Sequence, residues 1–181
     1  MTDAMNRILI GNLIAFAGAV IMVLIGLIRS KRNILIAQCV QFAVMGIGNL
    51  VLGGVTGFVS NIVSIARNIV CFYRPLTVPL KLLFIVILGG IGLYTNNLGL
   101  VGLCPVISAV LFTWYLDSDE IRLKIVIIIT SALWTCFDFT IHNYVTMVMD
   151  LLTIVTNTAG IVMIRSGKAG RRRSGRGQDP A

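Results

Sequence analysis

The chain has 181 residues and a formal net charge of +8, with 57% hydrophobic and only 12% charged residues; its mean hydropathy is +0.94. A water-soluble domain carries about a quarter charged residues, so this chain has too few to cover its surface in water, and a soluble globular protein is excluded. What remains is a protein whose solvent is largely lipid, with apolar runs separated by short polar breaks.

The first apolar run, Ile8–Ile28, is longer than the roughly 7–15 residues of a signal-peptide core. Its basic cluster, Arg29, Lys31 and Arg32, follows the run instead of preceding it. It reads as a retained first helix with its amino end outside. Further helices are predicted over Ile34–Leu52, Val55–Phe72, Leu80–Tyr94, Leu98–Leu116, Leu123–Phe139 and Tyr144–Ile164. The breaks fall at Ser30–Asn33, Gly53-Gly54, Arg74–Pro79, Thr95–Asn97, Asp117–Glu120 and His142-Asn143, all of turn-forming or charged composition. The expected fold is therefore an all-α integral membrane protein of about seven transmembrane helices. The membrane domain occupies residues 1–165, followed by a polar tail over 166–181. That tail is glycine-rich and cationic (Lys168, Arg171, Arg172, Arg173, Arg176) and has no apolar face to bury, so disorder is expected. The four cysteines, Cys39, Cys71, Cys104 and Cys136, fall inside apolar runs without a C-x-x-C pair or a histidine cluster. They read as small buried hydrophobes, not as a disulfide or metal set.

Lysine and arginine placement sets the direction. Arg29/Lys31/Arg32, Arg74/Lys81, Arg122/Lys124 and the tail from Arg165 all fall on alternate connections, and the intervening breaks contain neither residue. Cytoplasmic loops concentrate positive charge, so the amino terminus is expected outside and the carboxyl terminus in the cytoplasm; only Arg7 falls opposite the cationic set. The tail is expected to lie against anionic lipid headgroups, with docking of a partner protein the lesser reading. No aromatic residue interleaves with its arginines, which argues against nucleic acid.

A faint internal repeat is present. The first three helices (8–72) can be laid over the last three (98–164) with an offset near 88–89 residues, matching Asn61 to Asp150, Ser64 to Thr153 and Asn68 to Asn157. The remaining helix (80–94), with Gly89, Gly90 and Gly92, would link two parallel three-helix bundles in a 3+1+3 plan, with a substrate site between the halves. Gly11, Ala15, Gly18 and Ala19 would allow close helix contact.

Polar side chains in hydrocarbon face other helices or a water-filled cavity. Asn68 and Asn157 are the first candidates for substrate binding, because amides offer donors and acceptors to a polar metabolite; a plain interhelical hydrogen bond is the competing reading. Arg67 could snorkel to the interface, contact an anion or pair with a carboxylate from another helix, for which Asp150 is a poor partner. Asp138 and His142, four apart, would share a helix face, and Asp150 could join them in proton or ion coupling; an interfacial pair is the plainer reading. Trp134 is either core or a stacking surface. Enzymatic motifs are missing: Gly46 and Gly48 begin a G-x-G, but Val51 stands where a dinucleotide fingerprint needs its third glycine. No cofactor, metal or catalytic residue is expected.

LCPVISAVLFTWYL (Leu103–Leu116) and SALWTCFDFTIHNYV (Ser131–Val145), with GGIGLY (Gly89–Tyr94), NIVSIARNIVCFYR (Asn61–Arg74) and TNTAGIVMIR (Thr156–Arg165), carry a resemblance to the bacterial YgjV inner-membrane family. The resemblance implies a bacterial inner (plasma) membrane protein and no particular reaction. The layout is more distantly similar to the SWEET and PQ-loop transporters. That likeness implies substrate contacts at Asn68, Asn157 and Trp134 and pairing into a homodimer. The chain departs from them in having no Pro-Gln dipeptide, and only Pro105 stands where their hinge prolines do. Two functions follow as expectations: a small transporter-like protein moving a polar metabolite between two triplets, or a non-transporting scaffold or regulator acting through its loops and tail.

Overall fold

A computed structural model describes residues 2–25, 31–116 and 118–175. Its elements are all helical: α1 (Thr2–Ile25), α2 (Lys31–Val51), α3 (Val55–Tyr73), α4 (Val78–Thr95), α5 (Gly99–Gly102), α6 (Cys104–Tyr115), α7 (Glu120–Thr140) and α8 (Tyr144–Gly175). Six of these are long and apolar enough to cross a membrane, and Gly99–Tyr115 forms a shorter apolar segment. Seven helical segments thus stand where seven were predicted. Ile28, Arg29, Ser30, Asp117 and Arg176, which the sequence assigned to the first helix end, the basic cluster, two breaks and the tail, lie outside the described residues.

Local chemistry explains the boundaries. Pro79 sits in the first turn of α4 and Pro105 in that of α6, where a missing N–H costs nothing. Pro105 also divides the fifth segment, because its ring cannot accept the helical path from α5. Asp119 caps α7 by accepting the Arg122 N–H at 3.3 Å. Arg7, the cation at the head of α1 opposite the basic loops, donates from Nη2 to the Val51 carbonyl at 3.1 Å, where α2 exposes its negative end. α8 continues to Gly175, ten residues beyond the predicted boundary at Arg165. Extending an existing helix adds one hydrogen bond per residue without a new nucleus, so polar composition alone does not stop it.

The molecule is inverted relative to a soluble protein. Leu13, Phe16, Val86, Leu93 and Val155 are exposed on its outside, whereas Gln41, Asn49, Asn61, Arg67, Asn68, Ser108 and Asp138 are buried. α1, α2 and α3 pack in succession, as do α6, α7 and α8; α3 then meets α6, and α8 meets α1, closing a ring of six helices. α4 packs on α3 and α6, where Phe84 and Leu88 join Val63 and Ala109 in an apolar cluster. The α1–α2 seam is tight: a Cβ on Gly48 would lie 3.3 Å from the Gly11 carbonyl oxygen. Of the cysteines, Cys39, Cys71 and Cys104 are half-buried, while Cys136 is exposed and departs from the expectation of small buried hydrophobes.

The fifth segment crosses the bundle despite its length. Near its start, Asn97 donates to the Gly53 carbonyl at 3.3 Å, in the α2–α3 turn. At its other end, the Trp114 carbonyl accepts from Lys81 Nζ at 3.2 Å, at the head of α4. Those two partners lie at opposite ends of α3. The α2–α3 and α7–α8 turns also share one hydrogen-bond pattern. Gly54 N–H donates to Asn49 O at 2.7 Å and Asn143 N–H to Asp138 O at 2.8 Å; Gly53 donates to Leu50 O and His142 to Phe139 O. Gly53 (φ 87) and His142 (φ 60) both take the left-handed conformation there.

Candidate functional site

The ring encloses a cavity of about 230 Å³, to which each of α1, α2, α3, α6, α7 and α8 contributes. Its wall surface is mainly apolar, with Met45, Phe112, Met149 and Trp134 contributing to it, and many of the side chains that line it are polar. A mainly apolar surface is usual for a small-molecule site, although the volume is below the ~300–1,000 Å³ of drug-sized pockets. Asn61 and Ser64 face it from α3, Ser108 from α6, Thr130 and Ser131 from α7, and Asp150 and Thr153 from α8.

Arg67 also lines the cavity and is only 3% exposed, so it does not snorkel to the interface. Its Nη1 donates to Thr113 Oγ1 at 3.1 Å, while Nε and Nη2 share Asn68 Oδ1 at 3.4 and 3.2 Å. The guanidinium stands over the Phe112 ring, 5.2 Å from its centroid. The Thr113 hydroxyl gives its own proton to the Ala109 carbonyl at 2.6 Å, which leaves its lone pairs for the arginine. These partners are neutral. Of the five guanidinium N–H groups, one on each of Nη1 and Nη2 remains uncommitted.

Away from Arg67, near the α7–α8 turn, a second polar centre is built around two carboxyls. Asp138 is fully buried (0% exposed). Its Oδ1 accepts from Asn143 Nδ2 at 3.2 Å, and the same amide donates to Asn49 Oδ1 at 3.2 Å, joining α7 to α2. Asp150 approaches from α8, and the two carboxyls lie within hydrogen-bonding reach of each other. Ser131 is also in reach of Asp150. Each carboxyl keeps its Oδ2 buried without a donor.

The sequence-predicted residues separate accordingly. Trp134 lines the cavity and packs edge-on against Phe137, with ring centroids 5.7 Å apart. Asp138 and Asp150 come together as one cluster. His142 does not join them: α7 ends at Thr140, so the spacing of four no longer runs along a helix. The imidazole Nδ1 instead meets the Tyr144 hydroxyl at 3.0 Å on the exposed surface. Asn68 and Asn157 do not meet. Asn68 is the support of Arg67 and donates to Gln38 Oε1 at 3.1 Å, bordering a separate hollow between α2 and α3. Asn157 donates back to the Thr153 carbonyl of its own helix at 2.9 Å. Sequence reading missed Asn49, Asn61 and Asn143 as site residues. For Asn61 the signal was the repeat itself, because it was already matched to Asp150.

No curated protein and no solved structure matches the chain significantly. A family model described as a bacterial inner membrane protein, Imp-YgjV, matches residues 9–168. With its apolar helices and polar interior, the chain belongs to this Imp-YgjV family of bacterial inner membrane proteins and is a multi-pass protein of that membrane.

Proposed function

We propose that the protein is a small transporter-like permease that passes a polar solute through the cavity between two parallel helix triplets, α1–α3 and α5–α8, linked by α4. The observation that carries this reading is the cavity itself, ringed by six helices and holding the buried Arg67 beside free polar groups. The repeat supports it as well. Matched pairs face the cavity from the two halves: Gln41 and Thr130, Phe42 and Ser131, Met45 and Trp134, Asn61 and Asp150, Ser64 and Thr153. The shared turn pattern at Gly53 and His142 follows the same offset. Each triplet also clasps the other's turn, through Asn12 to the His142 carbonyl at 2.8 Å and Asn97 to the Gly53 carbonyl at 3.3 Å. Two rigid bundles meeting around a central site are suited to rocking, with the amino terminus outside and the basic loops in the cytoplasm.

A thermal-shift screen of the detergent-purified protein against sugars, nucleosides, amino acids and organic acids tests the reading. A ligand at a hundred times its Kd raises stability by about 2.7 kcal/mol. Ser64→Phe fills the cavity and is expected to abolish that shift, while Asn157→Ala melts earlier but still responds. The scaffold reading is favoured by one observation: Asn68 and Asn157 both spend their amides on protein partners. It gains if no solute of any class shifts the melt.

A further inference from the structure

The cavity is electrically divided. Asn61, Ser64 and Arg67 line it along α3, a rise of about 9 Å. The acid pair is tied through Asn143 to Asn49, beside the α2–α3 turn, whereas Arg67 bonds Thr113 near the carboxyl end of α6, so the guanidinium and the acid pair sit at different heights. Among the described residues Arg67 hydrogen-bonds to Asn68 and Thr113, stands over Phe112 and has no carboxylate as a direct partner. At the other pole, the unpartnered Oδ2 atoms of Asp138 and Asp150 are paired simply if one proton is held between the two carboxyls, since two bare carboxylates in one apolar site repel strongly.

We infer that the cavity binds a small organic carboxylate on Arg67 and takes up one proton with it on the Asp138–Asp150 pair, an inference that rests on the transporter reading. With one shared proton the pair carries a single negative charge, which balances Arg67 and leaves the empty cavity neutral. An entering carboxylate meets the uncommitted N–H groups on Nη1 and Nη2, a two-pronged match to its oxygens. It also adds one negative charge between apolar walls, where uncompensated charge is costly. A second proton on the acid pair restores neutrality. The two events therefore favour each other, and the coupling is reciprocal. Phe112, Met45 and Met149 in the wall favour an acid with an apolar portion over inorganic phosphate.

Few other titratable groups bear on this linkage. α1 brings Asp3 and Arg7 at its head, with Arg7 committed to Val51; α5 brings none, and α6 brings Cys104 beside Cys136 of α7. Tyr115 lies at the far end of α6. His142 and Tyr144 occupy each other on the surface. The thiols of Cys39 and Cys71 lie near Arg67.

The test is isothermal titration calorimetry on the full chain in detergent, with butyrate, lactate and succinate against glycerol, glucose and inorganic phosphate. Running each titration in buffers of different ionisation heat counts the protons exchanged. Carboxylates are expected to bind with about one proton taken up. Their affinity should fall by up to about tenfold per unit rise in pH. Arg67→Gln should weaken binding at least tenfold, Arg67→Lys less, and Asp138→Asn or Asp150→Asn should remove the proton uptake. Carboxylate binding without proton uptake, or of undiminished strength in Arg67→Gln, overturns the inference. If Arg67→Gln does not fold, the wild-type proton count and Arg67→Lys decide. Glycerol, glucose or phosphate binding without carboxylate binding overturns it while the transporter reading stands. If no solute binds, both fall.

Discussion

Thr56 and Thr113 are fully buried hydroxyls on helices that border the cavity, yet their hydrogen-bond accounts differ. Thr56 Oγ1 has no partner, whereas Thr113 accepts from Arg67 and donates to Ala109. Removing an unpaired hydroxyl is close to neutral, but removing one side of a charged hydrogen bond strands the other. Thr56→Val is therefore expected to change unfolding free energy by less than about 0.5 kcal/mol, and Thr113→Val to cost about 1.5–3 kcal/mol, both read by denaturation in mixed micelles. His142 provides a third residue-scale contrast. It holds a left-handed φ of 60 that glycine adopts freely. Relief of that strain in His142→Gly offsets the lost Tyr144 contact, so the net change is expected within about 1 kcal/mol. A proton-relay role for His142 would instead make this substitution abolish pH-dependent ligand binding. Arg67 and His142 differ in how far the sequence showed their settings. Burial of a long side chain is a tertiary outcome that spacing does not show, whereas the break after α7 was legible and the four-residue spacing of Asp138 and His142 does not carry across it.

At the scale of elements, most of the fold was legible. α3 begins at Val55 as predicted and ends one residue later, because glycines before it and Pro75 after it mark both boundaries locally. The small-residue seam on α1 was legible too: Gly11, Ala15 and Gly18 pack against α2, where Leu52, Gly48 and Met45 approach them. The glycines of α4 were legible only as a group. A Cβ on Gly92 would lie 2.4 Å from Val106 Cγ2, while Gly89 and Gly90 have nothing within 4 Å. Composition cannot tell which face of a helix meets a neighbour when every face is apolar. Gly92→Leu is accordingly expected to lift α4 off α6 and cost about 1–3 kcal/mol through overpacking. Gly90→Leu should be neutral or stabilising, since leucine has about 1 kcal/mol more helix propensity than glycine and meets only lipid there. Equal losses in the two variants would mean that α4 docks by another face. The α5–α6 break was not drawn, although its cause, Pro105, was in plain view. A proline within an apolar run of spanning length reads as a kink as easily as a new helix start.

For the whole molecule, sidedness turns on whether the short α5–α6 segment crosses the membrane. Its 17 residues span about 25 Å as helix, a little less than the ~30 Å hydrocarbon core, so length alone does not decide. If it crosses, the count of crossings is odd and all cationic connections share one side. If it turns back, Arg122 and Lys124 part from Arg74 and Lys81, against the tendency of cytoplasmic loops to collect positive charge. The contacts at its two ends, Asn97 to the α2–α3 turn and Trp114 to the head of α4, favour crossing, because α3 lies between those two places. Single cysteines in a background lacking Cys39, Cys71, Cys104 and Cys136 convert this into a measurement. Asn97→Cys and His142→Cys are expected to react with a membrane-impermeant maleimide in cells with a permeabilised outer membrane. Ser118→Cys should react only after the inner membrane is opened, with at least a tenfold difference in labelling. Early labelling of Ser118→Cys together with Asn97→Cys would make α5–α6 a re-entrant segment. The two triplets would then run in opposite directions, and the clasp between Asn12 and the α7–α8 turn would have to break.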